Sequence, residues 1–87
     1  MVVQIRMFGV LKKFGKDGVV TVNAPQQCLV GELRKLLKEQ LSADFPGTFH
    51  CSLVDRAAVT DCSRILNNGF SLVNTESLAL LSPVCGG

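Results

Sequence analysis

Leu78-Ala79-Leu80-Leu81-Ser82-Pro83-Val84-Cys85-Gly86-Gly87 closes the chain, and its two halves obey different rules. The first half is a short apolar strand; the second is an uncharged, proline-stiffened run that stops at Gly-Gly. Chain ends are ordinarily frayed, polar and dispensable. This one has the make-up of a segment gripped and threaded by another protein. Glycines lack a Cβ, so two in succession give the slimmest backbone available, which suits a narrow channel where a bulky reactant must reach a carboxylate. Pro83 fixes its own φ and biases Ser82 toward extended backbone. Ordering the segment in a channel then loses less conformational freedom. From Ile65 to Gly87 the only charged side chain is Glu76, so threading strips water from almost no charge. The chemical group on offer is the terminal carboxylate of Gly87, reached through Pro83, Val84, Cys85 and Gly86. An unstructured, inert terminus is the plainer reading, but such termini are usually polar.

Upstream of that strand, Asn67-Asn68-Gly69 is a turn signal. Pro46-Gly47 breaks the chain, and strands are expected between residues 48 and 59, with either 49–54 or 57–60 as the main one. Residues 29–41 give the one clear helix. Its apolar positions Leu29, Val30, Leu33, Leu36, Leu37 and Leu41 form one stripe, with Glu32 near the positive end of the helix dipole and Lys35 and Lys38 in later turns. Val19-Val20-Thr21-Val22 is β-branched throughout and reads as a strand ended by Pro25. Residues 9–18, rich in lysine and glycine, read as a long turn. Residues 2–8 alternate, with Val3, Ile5 and Met7 on one face. Two strands, a helix, a strand or strands and a final strand predict an α+β domain: a mixed sheet of four to five strands on one main helix. The division expected is a domain over residues 1–82 and a tail over residues 83–87.

With 87 residues there is room for one modest core. Hydrophobic residues make up 47% and charged residues 18%, which argues against disorder and for an apolar surface that meets partners. No apolar run approaches the length needed to span a bilayer. The first residues lack a signal-peptide layout, so the cytoplasm is the expected compartment and no membrane is expected. A net charge of +2, with no Tyr or Trp to stack on bases, argues against nucleic acid. Lys12, Lys13 and Lys16, and Arg34, Lys35 and Lys38, read as solvated surface, with an acidic docking partner as the lesser reading. Cys28, Cys51, Cys62 and Cys85 contain no C-x-x-C pair, and His50 beside Cys51 on a strand would point to the opposite face. The cysteines read as small hydrophobes and free thiols, with no metal site. For Cys85 a sharper alternative is a thiol that reacts with an activated terminal acyl group.

The order of elements resembles a β-grasp, ubiquitin-like fold, and residues 72–87 resemble the MoaD/ThiS-like sulfur carriers, whose MoaD members are the small subunit of molybdopterin synthase. That family closes with a leucine, a Gly-Asp turn, an apolar strand and Pro-Pro-Val-x-Gly-Gly. Leu72, the strand at 78–81 and Pro83-Val84-Cys85-Gly86-Gly87 fall in register with it. Ala57-Ala58-Val59-Thr60 matches the family's Val-x-Val-Asn strand, and Phe8 and Gly15 fall where its first hairpin often has Phe and Gly. Thr75-Glu76 replaces the Gly-Asp turn and Ser82 the first proline.

The resemblance implies a reagent and no catalytic residue. An adenylating enzyme of the ubiquitin-activating, MoeB/ThiF-like kind, using ATP and magnesium of its own, would activate Gly87. A persulfide donor would supply sulfur, and a MoaE-like large subunit of molybdopterin synthase would receive the thiocarboxylate. No cofactor is expected on this chain. By alignment with the ubiquitin strand, Leu78 and Leu80 enter the core, while Leu81 and Ala79 face outward as a partner interface. Phe70 either joins that patch or belongs to the core. The alternatives are a carrier for tRNA thiolation, cysteine, a thioacid natural product or thiamine, a ubiquitin-like modifier joined to lysines through Gly87, and a plain interaction module. Thiamine carriers are usually shorter and lack the Pro-Val approach. An independent enzyme is disfavoured, because His50 has no nucleophile and orienting acid around it.

Overall fold

Strand β1, Val2–Phe8, follows the alternation in its sequence: Val3, Ile5 and Met7 are buried, while Gln4 and Arg6 face water. The computed structural model describes residues 1–61, 63–73 and 77–82; Cys62, residues 74–76 and residues 83–87 lie outside the described residues. Strand β2, Val19–Asn23, pairs antiparallel with β1 to complete the expected hairpin. Between them, Gly9–Phe14 forms a 3-10 helix where a long turn was expected. The reason is Leu11 and Phe14, three residues apart on one side of a three-residue turn and both buried. The Phe14 ring meets Phe45 and Phe49 edge to face, at 5.2 and 5.4 Å between centroids. This aromatic trio ties the hairpin to the end of the helix.

Helix α1, Val30–Asp44, buries Val30, Leu33, Leu37 and Leu41, with Leu36 packed at the margin. It runs past Leu41 because nothing breaks it before Pro46. Its first amide groups, orphaned in any helix, find carbonyls in the segment after β4. Val30 N–H donates to Phe70 O at 2.9 Å and Gly31 N–H to Asn68 O at 3.0 Å.

The expected strand at 49–54 is not formed. Residues Cys51–Asp55 make a short helix, α2. Val54 and Phe49 are buried while Cys51 is exposed, a spacing that no strand face provides. His50 and Cys51 stand at its amino-terminal boundary, both exposed. The basic face of α1 also needs correcting. Arg34 is half-buried and donates to Val54 O at 2.6 Å, Ala57 O at 2.7 Å and Asn68 Oδ1 at 2.8 Å. Lys38 Nζ lies 2.8 Å from Asp55 Oδ1. These two cations are fasteners between α1 and α2.

Strands β3 (Ala58–Thr60), β4 (Ile65–Leu66) and β5 (Ser77–Leu81) complete a five-stranded sheet in the order β2-β1-β5-β3-β4. β5 is parallel to β1 and antiparallel to β3, so the sheet is mixed and the final strand lies at its centre. The domain is an α+β β-grasp. No helix among the described residues is long and apolar enough to cross a membrane.

The β2 edge is guarded. Val19 exchanges both backbone hydrogen bonds with Lys16, and Thr21 O accepts from Gln40 Nε2 at 3.0 Å. Unblocked edges invite pairing with other chains. Gln40→Ala is therefore expected to leave stability within about 1 kcal/mol while raising self-association, read by light scattering over a concentration series. An unchanged size distribution would show that this guard is dispensable.

Candidate functional site

The final strand carries the candidate site, because its side chains alternate between a filled core and an open face. Leu78 and Leu80 are buried, at 2% and 1% exposure, whereas Ala79 is intermediate and Leu81 is 39% exposed. The phase expected from sequence is the one observed.

Register turns these outward positions into rows. Leu81 lies between Phe8 on β1 and Ala58 on β3. Ala79 lies between Arg6 and Thr60, and Thr60 in turn pairs with Ile65. Phe8 is 45% exposed, so the row Phe8–Leu81–Ala58 is apolar across β1, β5 and β3; Ile65, 72% exposed, lies on β4 at the end of the adjoining row, beyond Thr60. Phe8, Ala58 and Ile65 are candidate-site residues that the sequence reading did not assign. Phe8 carried a local signal, being a phenylalanine on the polar phase of β1; that Leu81 is its neighbour shows only in the parallel pairing.

Phe70 is not in these rows. It sits beside the start of α1, partly buried against the core, with the Arg64 guanidinium 4.9 Å from its ring centroid. Residues Pro83, Val84, Cys85, Gly86 and Gly87 lie outside the described residues. The chain reaches them through Ser82, which packs against Gly9.

Cys28 is buried, and burial, then the nearby Glu32 charge, pushes its thiol pKa up, which leaves it a poor nucleophile. Among the described residues no three His, Cys, Asp or Glu side chains converge as metal ligands. Asp61 accepts hydrogen bonds from the Ser63 and Arg64 amides and from the Ser63 hydroxyl, which hold its carboxyl below the usual range; its ion pair with Arg64 is exposed. The side chain closes a turn before β4. Of the lysines at the first hairpin, Lys13 Nζ lies 5.3 Å from the Phe14 centroid, and all three are exposed.

No family model matches the chain, and no curated protein matches it. Solved structures do. SAMP1 from Haloferax volcanii aligns over the whole of both chains at 22% identity with a TM-score of 0.72. A chain of the complex of subunits 1 and 2 of molybdopterin-converting factor from Helicobacter pylori aligns over the whole of both chains at 26% identity and a TM-score of 0.57. Caldiarchaeum subterraneum ubiquitin aligns over all of this chain and 98% of its own, at 15% identity and a TM-score of 0.61.

Proposed function

We propose, starting from this MoaD-like, ubiquitin-like β-grasp fold, that the chain is a sulfur carrier whose C-terminal Gly87 is activated and loaded by partner enzymes. The observation that carries the reading is the apolar row of Phe8, Leu81 and Ala58 at the end of the strand that precedes the Gly-Gly segment. A partner that docks there is placed to receive the chain that follows. Ala79 and Leu81 supply part of that face, and Pro83, Val84, Cys85 and Gly86 supply the slender approach.

The chemistry follows from the weakness of a carboxylate as an acyl donor. In a MoeB/ThiF-like enzyme the Gly87 carboxylate oxygen attacks the α-phosphorus of ATP, and pyrophosphate leaves. Magnesium and cationic groups of that enzyme offset the phosphate charge. Persulfide sulfur from a donor protein then attacks the acyl carbon and AMP leaves. Cleavage of the resulting S–S bond by a second partner thiol yields the thiocarboxylate and a partner disulfide. This chain is the co-substrate throughout and supplies no catalytic group.

The pathway favoured is molybdenum cofactor biosynthesis, with a MoaE-like large subunit as sulfur-transfer partner and the cytoplasm as compartment. Its support is the Helicobacter pylori neighbour, a two-subunit assembly of molybdopterin-converting factor. A second reading, a modifier joined to lysines through Gly87, is supported by likeness to SAMP1 and to a second Haloferax volcanii structure named as small archaeal modifier protein 1. Adenylation opens both routes.

The deciding experiment is intact mass spectrometry after incubation with ATP, an adenylating enzyme and a sulfur source. One oxygen-for-sulfur exchange in the C-terminal peptide is expected. Sulfur found only on cysteine side chains counts against the carrier, and lysine-linked conjugates select the modifier. Leu81→Asp is expected to weaken binding to the adenylating enzyme at least about tenfold, since a buried interface anchor is worth upward of 1 kcal/mol. Circular dichroism should show the fold retained. Unchanged affinity would place docking elsewhere.

A further inference from the structure

We infer that Gly9 is a positioning residue: its bare α-carbon makes room for Ser82 and so fixes the place of the residue that joins β5 to the C-terminal segment. The inference rests on reading the C-terminus as the reactive end. β1 and β5 are parallel with Phe8 opposite Leu81, so the next residues of the two strands, Gly9 and Ser82, are neighbours. There the chains part. Gly9 has φ of 66° and turns its chain out of the sheet into the 3-10 helix, while the other chain continues to Ser82. On the far side pairing also stops, because β3 begins at Ala58, opposite Leu81. Ser82 therefore follows the last paired residue of β5, and Gly9 is the neighbour it packs against.

A Cβ on residue 9 would lie 1.9 Å from Ser82 Oγ and 3.2 Å from Ser82 Cβ. Rotating the hydroxyl relieves the first contact. The second joins two atoms fixed to backbone, so either the turn or Ser82 must move. The positive φ alone favours glycine but admits asparagine; the approach of Ser82 disfavours any side chain. A shift of Ser82 displaces the covalent start of the segment that ends at Gly87. In an enzyme channel a misplacement of about 1 Å can cost about a hundredfold in rate.

The test compares the full-length chain with Gly9→Ala and with the double variant Gly9→Ala/Ser82→Gly, which removes both contacted atoms but keeps the strained φ. Gly9→Ala is expected to shift the amide resonances of Ser82 and residues 84–87. It should also lower ATP-dependent C-terminal modification about tenfold without changing affinity for the adenylating enzyme. The double variant should return both readings toward the native values. Ser82→Val crowds the same contact from the other strand and should move the same resonances, which covers failure of Gly9→Ala to fold. Tail resonances that stay put in the single variants, or stay shifted in the double, overturn the inference. If no chain is modified, native included, the carrier reading fails while the resonances still decide the role of Gly9.

Discussion

Replacing Arg34 with methionine is expected to destabilise the domain by about 2–4 kcal/mol, because hydrogen bonds from a charged donor to part-buried carbonyls contribute about 1.5–3 kcal/mol each and do not add fully. The guanidinium binds Val54 O and Ala57 O at the carboxyl end of α2 and reaches Asn68 on the segment that caps α1. Burial lowers its pKa, and Asp55 partly offsets that. Methionine keeps the stem and leaves those carbonyls short of a donor. Against a total stability of roughly 5–10 kcal/mol for a domain of this size, the loss should lower Tm by roughly 10–25 °C. Lysine at the same position keeps the charge but not the planar fork that holds several acceptors together, and should recover only part of the loss. Lys38→Met removes a pair whose side chains are 28% and 54% exposed, and should cost no more than about 1 kcal/mol. Urea unfolding with an unchanged m-value measures all three. An Arg34→Met midpoint indistinguishable from native would show that the fastening of α2 is redundant. The effect bears on function, because Arg34 anchors the residue before β3, and Ala58 begins the row that contains Leu81.

What could be read from sequence is set by how local each determinant is. β1 announces itself by its alternation and β5 by an unbroken apolar run, and the break at Pro46-Gly47 is intrinsic to those two residues. α2 was hidden by Phe49, Cys51 and Leu53, which mimic strand alternation. Its helical state is decided by burial of Val54 and by Arg34, some twenty positions away. β4 has only two residues, too few for any periodicity. The same division runs through the site. The outward phase of Leu81 was legible by alignment, but its partners Phe8 and Ala58 depend on register across β1 and β3. Arg34 read as solvated because its acceptors are backbone carbonyls, and no side-chain pattern advertises those.

Removing Gly87 is expected to abolish ATP-dependent modification of the chain, with a fall of about a thousandfold or more, while Tm and docking affinity stay native. One residue spans about 3.5 Å, and reactive groups displaced by about 1 Å already lose about a hundredfold. The truncated chain would still carry a terminal carboxylate on Gly86, but held short of the reacting phosphorus. The proposed docking row of Phe8, Leu81 and Ala58 lies upstream of the truncation, so binding and turnover should separate cleanly. Gly87→Ala sharpens the point. It restores the length and adds one methyl beside the reacting carbon, and should cost about ten- to a hundredfold by crowding alone. Val84→Ala, farther from the reacting carbon, should cost less. The carrier and the modifier both require this ranking, whereas a plain interaction module with an inert tail requires none of it. Equal modification of the native and truncated chains would mean that the reactive group is not the main-chain carboxylate of Gly87.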